Sequence, residues 1–256
     1  MRTLAKGREP QCLADARREA RRLQRKTGKA PVPEDWDAGV CDADQGEPNH
    51  LRAALVRDQQ KLCAYCMGRI QPRGYLHSAP SAGGMKIEHF VARSQDPRRI
   101  FDWDNLLGVC AGVYRGPNGR VDHCDTSRGA TPLLLNPTDP GGSRPEVALE
   151  YTSERPANAP GESPGLWLRP CAGHEDIAGD LSALNLNAEH LAYNRYAARD
   201  SLRRQLQRAQ RKGGTGAVRR LLLQHQADLR SAPPTTLPEY AGVLLDYVER
   251  KLAQMT

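Results

Sequence analysis

Cys63-Ala64-Tyr65-Cys66 sets two thiols three positions apart, so both can reach one tetrahedral ion from a tight turn. A thioredoxin-like redox pair uses the same spacing but wants a strand-helix-strand context that the flanking residues do not supply. A zinc site instead wants two further thiolates or imidazoles downstream, and Cys110 and Cys124 are there to supply them. These two stand farther apart than a second knuckle would place them, and His123 beside Cys124 is an alternative ligand. Buried, unligated thiols are the plainer reading of the same four residues. Cys12, Cys41 and Cys171 have no partner at ligand spacing and read as ordinary thiols.

Between the two cysteine pairs lie Lys86-Ile87-Glu88-His89-Phe90 and Asp102-Trp103-Asp104-Asn105-Leu106, and the second pair ends in His123-Cys124-Asp125-Thr126-Ser127-Arg128-Gly129. This order resembles the HNH endonuclease family: a CxxC knuckle, an acidic-His pair on a strand, an Asn-Leu after a loop, then a second Cys pair followed by a ligand and a basic residue on a helix. With Asn136-Pro137 and Leu184-Asn185-Leu186-Asn187 added, the chain is similar over roughly residues 50–210 to the HNH component of Septu-type and retron-linked antiphage systems. The resemblance implies an α+β fold, with a zinc-stabilised ββα-metal, treble-clef-like core and helical N- and C-terminal extensions. It also implies a nuclease acting on nucleic acid, DNA before RNA, beside a separate ATPase subunit.

Phosphodiester hydrolysis asks that water be deprotonated, aimed in line at phosphorus, and that charge on the leaving oxygen be neutralised. His89 is the candidate general base, because an imidazole accepts a proton near neutral pH. Glu88 and Asp125 are hard oxygen donors suited to a catalytic Mg²⁺ or Mn²⁺. Glu88 and His89 are adjacent, so on a regular strand they point to opposite faces, and sharing one site requires a bulge or an edge. Asn105 matches the family's middle Asn and is expected to orient the histidine or pin the loop. Asp125 stands where family members more often carry Asn or His, and Arg128 where they carry Lys; a guanidinium there grips a phosphate bidentately. Arg93, Arg203 and Arg204 are further expected nucleic-acid contacts. The reading from another class is a non-catalytic zinc-stabilised nucleic-acid-binding or scaffold module, in which His89 and Asp125 merely pack and cap.

The elements that must position these residues are sketched by composition and pattern. Of 256 residues, 39% are hydrophobic, and 37 Lys+Arg against 30 Asp+Glu give a net charge of +7. There is no apolar run long enough for a membrane span and no apolar leader at the start, so a cytoplasmic protein with reduced thiols is expected. Residues 1–47 read as a basic arm and linker, with a helix over 13–25 and a break at Pro31-Val32-Pro33 before the acidic run Glu34–Asp37. Residues 48–137 read as the nuclease core, opened by a helix over 49–62. Residues 138–182 are rich in Pro and Gly, and the segments 147–151 and 166–168 alternate like a hairpin. Residues 183–256 are helical: one helix from Asn187 as N-cap to about Arg211, a second over 217–227 beyond the Gly213-Gly214-Thr215-Gly216 hinge, and a third over 238–255. Backbone contacts from the basic helices and arm imply low sequence specificity.

Overall fold

The computed structural model describes residues 1–29, 50–72, 84–117, 119–139, 142, 144–157, 159 and 161–255. The Pro31–Pro33 break, the acidic run after it, Cys41 and His77 lie outside the described residues.

Helix α1 (Gln11–Thr27) starts behind Pro10 and stops at Gly28, which adopts φ 71° and returns its N–H to Gln24. It docks through the buried Leu13, with Cys12, Ala16 and Ala20 beside it. The residues ahead of it are packed too. Met1 and Leu4 are buried, the Leu4 N–H reaches the Pro137 carbonyl at 2.8 Å, and the Trp103 indole donates to the Gly7 carbonyl at 3.0 Å. The loose basic arm expected from charge is thus a strap, held by a few apolar side chains and directional bonds. Its arginines line the outer face, where Arg17, Arg18 and Arg22 meet Glu9, Asp15 and Glu19.

Helix α2 (Leu51–Asp58) is capped by the His50 ring, which accepts from the Arg52 N–H at 3.4 Å, and turns Leu51 and Leu55 inward. It is shorter than expected because Gln60 and Lys61 take positive φ of 53° and 64° and swing the chain into the cysteine knuckle. Strands β1 (Met85–His89) and β2 (Leu106–Cys110) then pair antiparallel, His89 opposite Leu106 and Met85 opposite Cys110. A second hairpin, β3 (Val113–Gly116) and β4 (Gly119–Asp122), precedes the short helix α3 (Cys124–Arg128), which packs on β2. Gly112 makes the return possible: its φ is +69°, and a Cβ there would lie 2.4 Å from the His123 carbonyl.

After the short helix α4 (Pro145–Ala148), β5 (Leu149–Thr152) pairs with β6 (Trp167–Pro170), the hairpin that the alternation predicts. Helix α5 (Ala178–Ala183) turns the buried Asp180 carboxylate onto the Leu134 and Leu135 N–H groups at 3.0 and 2.7 Å, which fixes the segment leaving α3.

Helix α6 spans Glu189–Leu229 but breaks at Gly213 and Gly214, the latter at φ 60°, ψ −161°. Asn187 does not cap it; that amide is spent on both backbone groups of Leu168, and Ala188 takes the N-cap position. Helix α7 (Ala241–Ala253) shows what the break does. Asn194 bonds the Tyr240 hydroxyl and Arg230 pairs with Glu249. In a straight helix Asn194 and Arg230 would be about 54 Å apart, whereas nine residues of α7 cover about 14 Å. The chain therefore doubles back at the glycines, and α6 is a helical hairpin closed over α7 by Leu202, Leu206, Leu222 and Val248.

Candidate functional site

The knuckle after α2, the end of β2 and the start of α3 bring Cys63, Cys66, Cys110 and Cys124 together, with all four sulfurs within 4.8 Å of one another. The Cys63–Cys124 separation is 3.9 Å and Cys66–Cys110 is 3.7 Å. A disulfide needs about 2.05 Å, while a regular tetrahedron of sulfurs about 2.3 Å from a central zinc has edges of about 3.8 Å. The donor set, its size and its soft chemistry thus fit zinc.

The cage is built by backbone bonds. Cys63 N–H donates to the Gly68 carbonyl at 2.8 Å and Ala64 N–H to Gly108 at 3.1 Å, while Gln59 clamps Gly108 from both sides at 2.7 Å. Gly68 N–H points at the Cys66 sulfur at 3.4 Å, and His123 Nδ1 lies 3.2 Å from the Cys124 sulfur. His123 thus stands beside the cage within hydrogen-bond reach of a sulfur, and Cys124 supplies the ligand atom inside it. Hydrogen bonds from Cys110, Cys124 and Cys63 hold the Cys66 thiol well below its ordinary range, whereas burial pushes Cys124 well above.

A second charged cluster lies on the face of β1 that carries alternate residues Lys86 and Glu88. Glu88 is buried and hydrogen-bonds Asp125, the second residue of α3. Tyr65 donates to Glu88 at 3.3 Å, and the Arg128 guanidinium pairs with it. Arg128 has no exposed side-chain surface; it also donates to the Phe90 carbonyl and to the Thr131 carbonyl at 2.8 Å. The phosphate grip expected of Arg128 is therefore corrected: its fork is consumed inside the protein, tying α3 to the end of β1. Burial and then the Asp125 carboxylate push Glu88 up to about 8, against the pull of Arg128 and Tyr65. For Asp125 burial works the other way from its partners, and the Glu88 hydrogen bond and Lys86 ammonium outweigh it, holding the group below the ordinary carboxylate range. Lys86 pairs with Asp125 and reaches the Thr126 hydroxyl at 2.7 Å.

Glu88 and Asp125 meet as expected, but they do not fit a divalent ion as arranged. Arg128 and Lys86 already occupy them, and among the described residues the four cysteines are the one group of three or more donors close enough to hold a metal.

His89 is buried at the end of β1, its Nε2 3.0 Å from the Ile100 carbonyl. A carbonyl only accepts, so Nε2 carries the hydrogen and Nδ1 is the basic nitrogen. Strand alternation turns this ring away from the Glu88 face. Asn105, 1% exposed, takes the pinning role: its amide accepts from Val91 N–H at 2.8 Å and donates to the Val91 and Arg99 carbonyls at 3.1 Å. It fastens both ends of the loop whose Ile100 carbonyl orients His89.

Arg93 is half-buried on that loop. Arg203 and Arg204 lie on α6, both exposed and both paired with Asp200, remote in sequence from the core. Sequence reasoning missed Tyr65, Lys86 and Gln59. Lys86 carried a signal, since it precedes Glu88 by two and must share its face on a strand. A cavity of about 640 Å³ lies elsewhere, between the β3–β4 hairpin and the start of α6, walled by Tyr114, His190 and Tyr193. No helix among the described residues is long and apolar enough to cross a membrane. Compared with protein families and with curated proteins, this chain matches none.

Proposed function

We propose that this protein is an HNH-type endonuclease that hydrolyses phosphodiester bonds in nucleic acid, DNA before RNA, as the effector of an antiphage system with an ATPase subunit. The observation that carries the reading is the ββα arrangement: antiparallel β1 and β2 and helix α3, joined at one end by the four-thiol cage, with His89 closing β1. Zinc on the cage would hold the knuckle, strand and helix in one unit and take no part in the chemistry. His89 is the base: the Ile100 carbonyl 3.0 Å from Nε2 orients the ring, and the imidazole would take the proton of the attacking water. Asn105 keeps that carbonyl in place and is a positioning residue. The ATPase partner, the defence role and a Mg²⁺ or Mn²⁺ requirement rest on the family resemblance alone.

One specific arrangement favours the second reading, a zinc-stabilised nucleic-acid-binding module without catalysis: Arg128 and Lys86 engage Glu88 and Asp125 internally, and His89 is buried. Cleavage of supercoiled plasmid by the full chain in Mg²⁺ or Mn²⁺ separates the two. The nuclease reading expects nicking that falls at least about 100-fold in His89→Ala, with zinc content and unfolding temperature held. Equal cleavage by His89→Ala overturns it, and plasmid binding without nicking supports the module.

A further inference from the structure

Cationic side chains are used in two ways on this surface. Arg18, Arg98, Arg169 and Arg230 each face a carboxylate on their own or a neighbouring element, and Arg203 and Arg204 share Asp200. The tip of the α6 hairpin breaks this pattern, as do Arg21, Arg25 and Lys26 on α1, which are exposed and make no ion pair to another described residue but lie within a turn or two of Asp15 and Glu19. Arg208, Arg211 and Lys212 precede the glycine break and Arg219 and Arg220 follow it, yet no Asp or Glu occurs from Ser201 to Ala227. All five are exposed, and none has an ion pair or side-chain hydrogen bond to another described residue. At about 1.5 Å per residue all five lie within about 9 Å of the turn. Because the chain doubles back there, they converge on one end of the molecule.

We propose that this tip is a docking surface for the phosphate backbone of a nucleic-acid duplex. Like charges gathered without an acid repel one another, and a polyanion relieves that repulsion while releasing its own counterions. Four of the five are arginines, whose forked donors match phosphate oxygens. The choice of a duplex follows from what is missing. No Phe, Tyr or Trp occurs from Ser201 to Leu223, so the tip has no ring on which an unpaired base could stack. A lipid surface is disfavoured as well, because the exposed residues of the turn, Gly213, Thr215 and Gly216, offer no apolar wedge. The inference rests on the nucleic-acid reading above for its choice among polyanions, and is independent of cleavage.

The test is equilibrium binding of the full chain, without added divalent ions, to a fluorescein-labelled 24-base-pair DNA duplex, its single strand, and vesicles containing 30% phosphatidylserine. The tip variant R208Q/R211Q/K212Q/R219Q/R220Q is compared with R18Q/R22Q/R98Q/R120Q/R169Q, which removes as many charges from acid-paired sites. We expect the tip variant to weaken duplex binding at least tenfold more than the control, and its salt slope to fall by about 0.9 for each phosphate that the tip no longer neutralises. The half-variants R208Q/R211Q and R219Q/R220Q should each show part of this effect, and circular dichroism verifies the fold. Equal weakening by both five-site variants, or wild-type binding that favours the single strand or the vesicles, overturns the proposal. The nuclease reading fails separately, by equal plasmid cleavage from wild type and His89→Ala, which this binding measurement does not read.

Discussion

The two charge-rich clusters on the β1–β2–α3 unit are neutralised in opposite ways. Four thiols converge with the His123 ring beside them and no Lys or Arg paired to them among the described residues, an arrangement suited to an ion supplied from outside. Two carboxyls converge a few residues away and are met from inside, by Arg128 and Lys86. The same short elements serve both, because Cys124 and Asp125 are consecutive on α3. The difference teaches that donor chemistry alone does not define a metal site. What counts is whether the protein has already supplied the compensating charge.

Removing the outside cation should have the largest effect. Chelation, or Cys63→Ser, is expected to cost on the order of 10 kcal/mol in a unit held this way. It should abolish near-ultraviolet dichroism from the core, and a fold that survives zinc loss would break the contrast. Removing the inside cation comes next. At pH 9, where Glu88 is ionised, Arg128→Met leaves that carboxylate buried beside Asp125 and should destabilise by about 3–5 kcal/mol, while Glu88→Met in the same chain should restore most of it. Denaturant titration of both variants checks this, and additive losses would sink it.

A pH effect follows with its sign set by burial. Glu88 is raised from 4.5 to about 8, so between those values the native protein keeps a proton that the unfolded chain has lost. Stability contributed here therefore falls as pH rises through that window, and Glu88→Gln should flatten the slope. Unfolding temperatures from pH 5 to 8 measure it, and an unchanged slope in Glu88→Gln would contradict the assignment. The smallest effect is expected of Lys86→Met, because the pair it makes with Asp125 is partly exposed: within about 1 kcal/mol. The same variant should bind Mn²⁺ more tightly than wild type, which electron paramagnetic resonance would detect.

Much of this contrast is legible in sequence and part is not. The four thiols can be assembled from Cys63, Cys66, Cys110 and Cys124 because sulfur ligands are rare and few arrangements use them all. The β5–β6 hairpin follows from alternation, and the break in α6 from paired glycines that no side chain would tolerate at Gly214. Arg128 is misread from sequence because a basic residue after a second cysteine pair looks alike whether its guanidinium faces solvent or a buried carboxylate. The packing of the N-terminal strap is hidden because Met1, Leu4 and Leu13 have no common period. The β3–β4 hairpin escapes notice although Asn118-Gly119 carries a turn signal between its strands.

X-ray absorption at the zinc edge of the protein as purified tests the central claim most directly. The account predicts one zinc per chain with four sulfur neighbours at about 2.3 Å and no nitrogen. A chain without zinc, or a shell in which the His123 nitrogen replaces a sulfur, would contradict it.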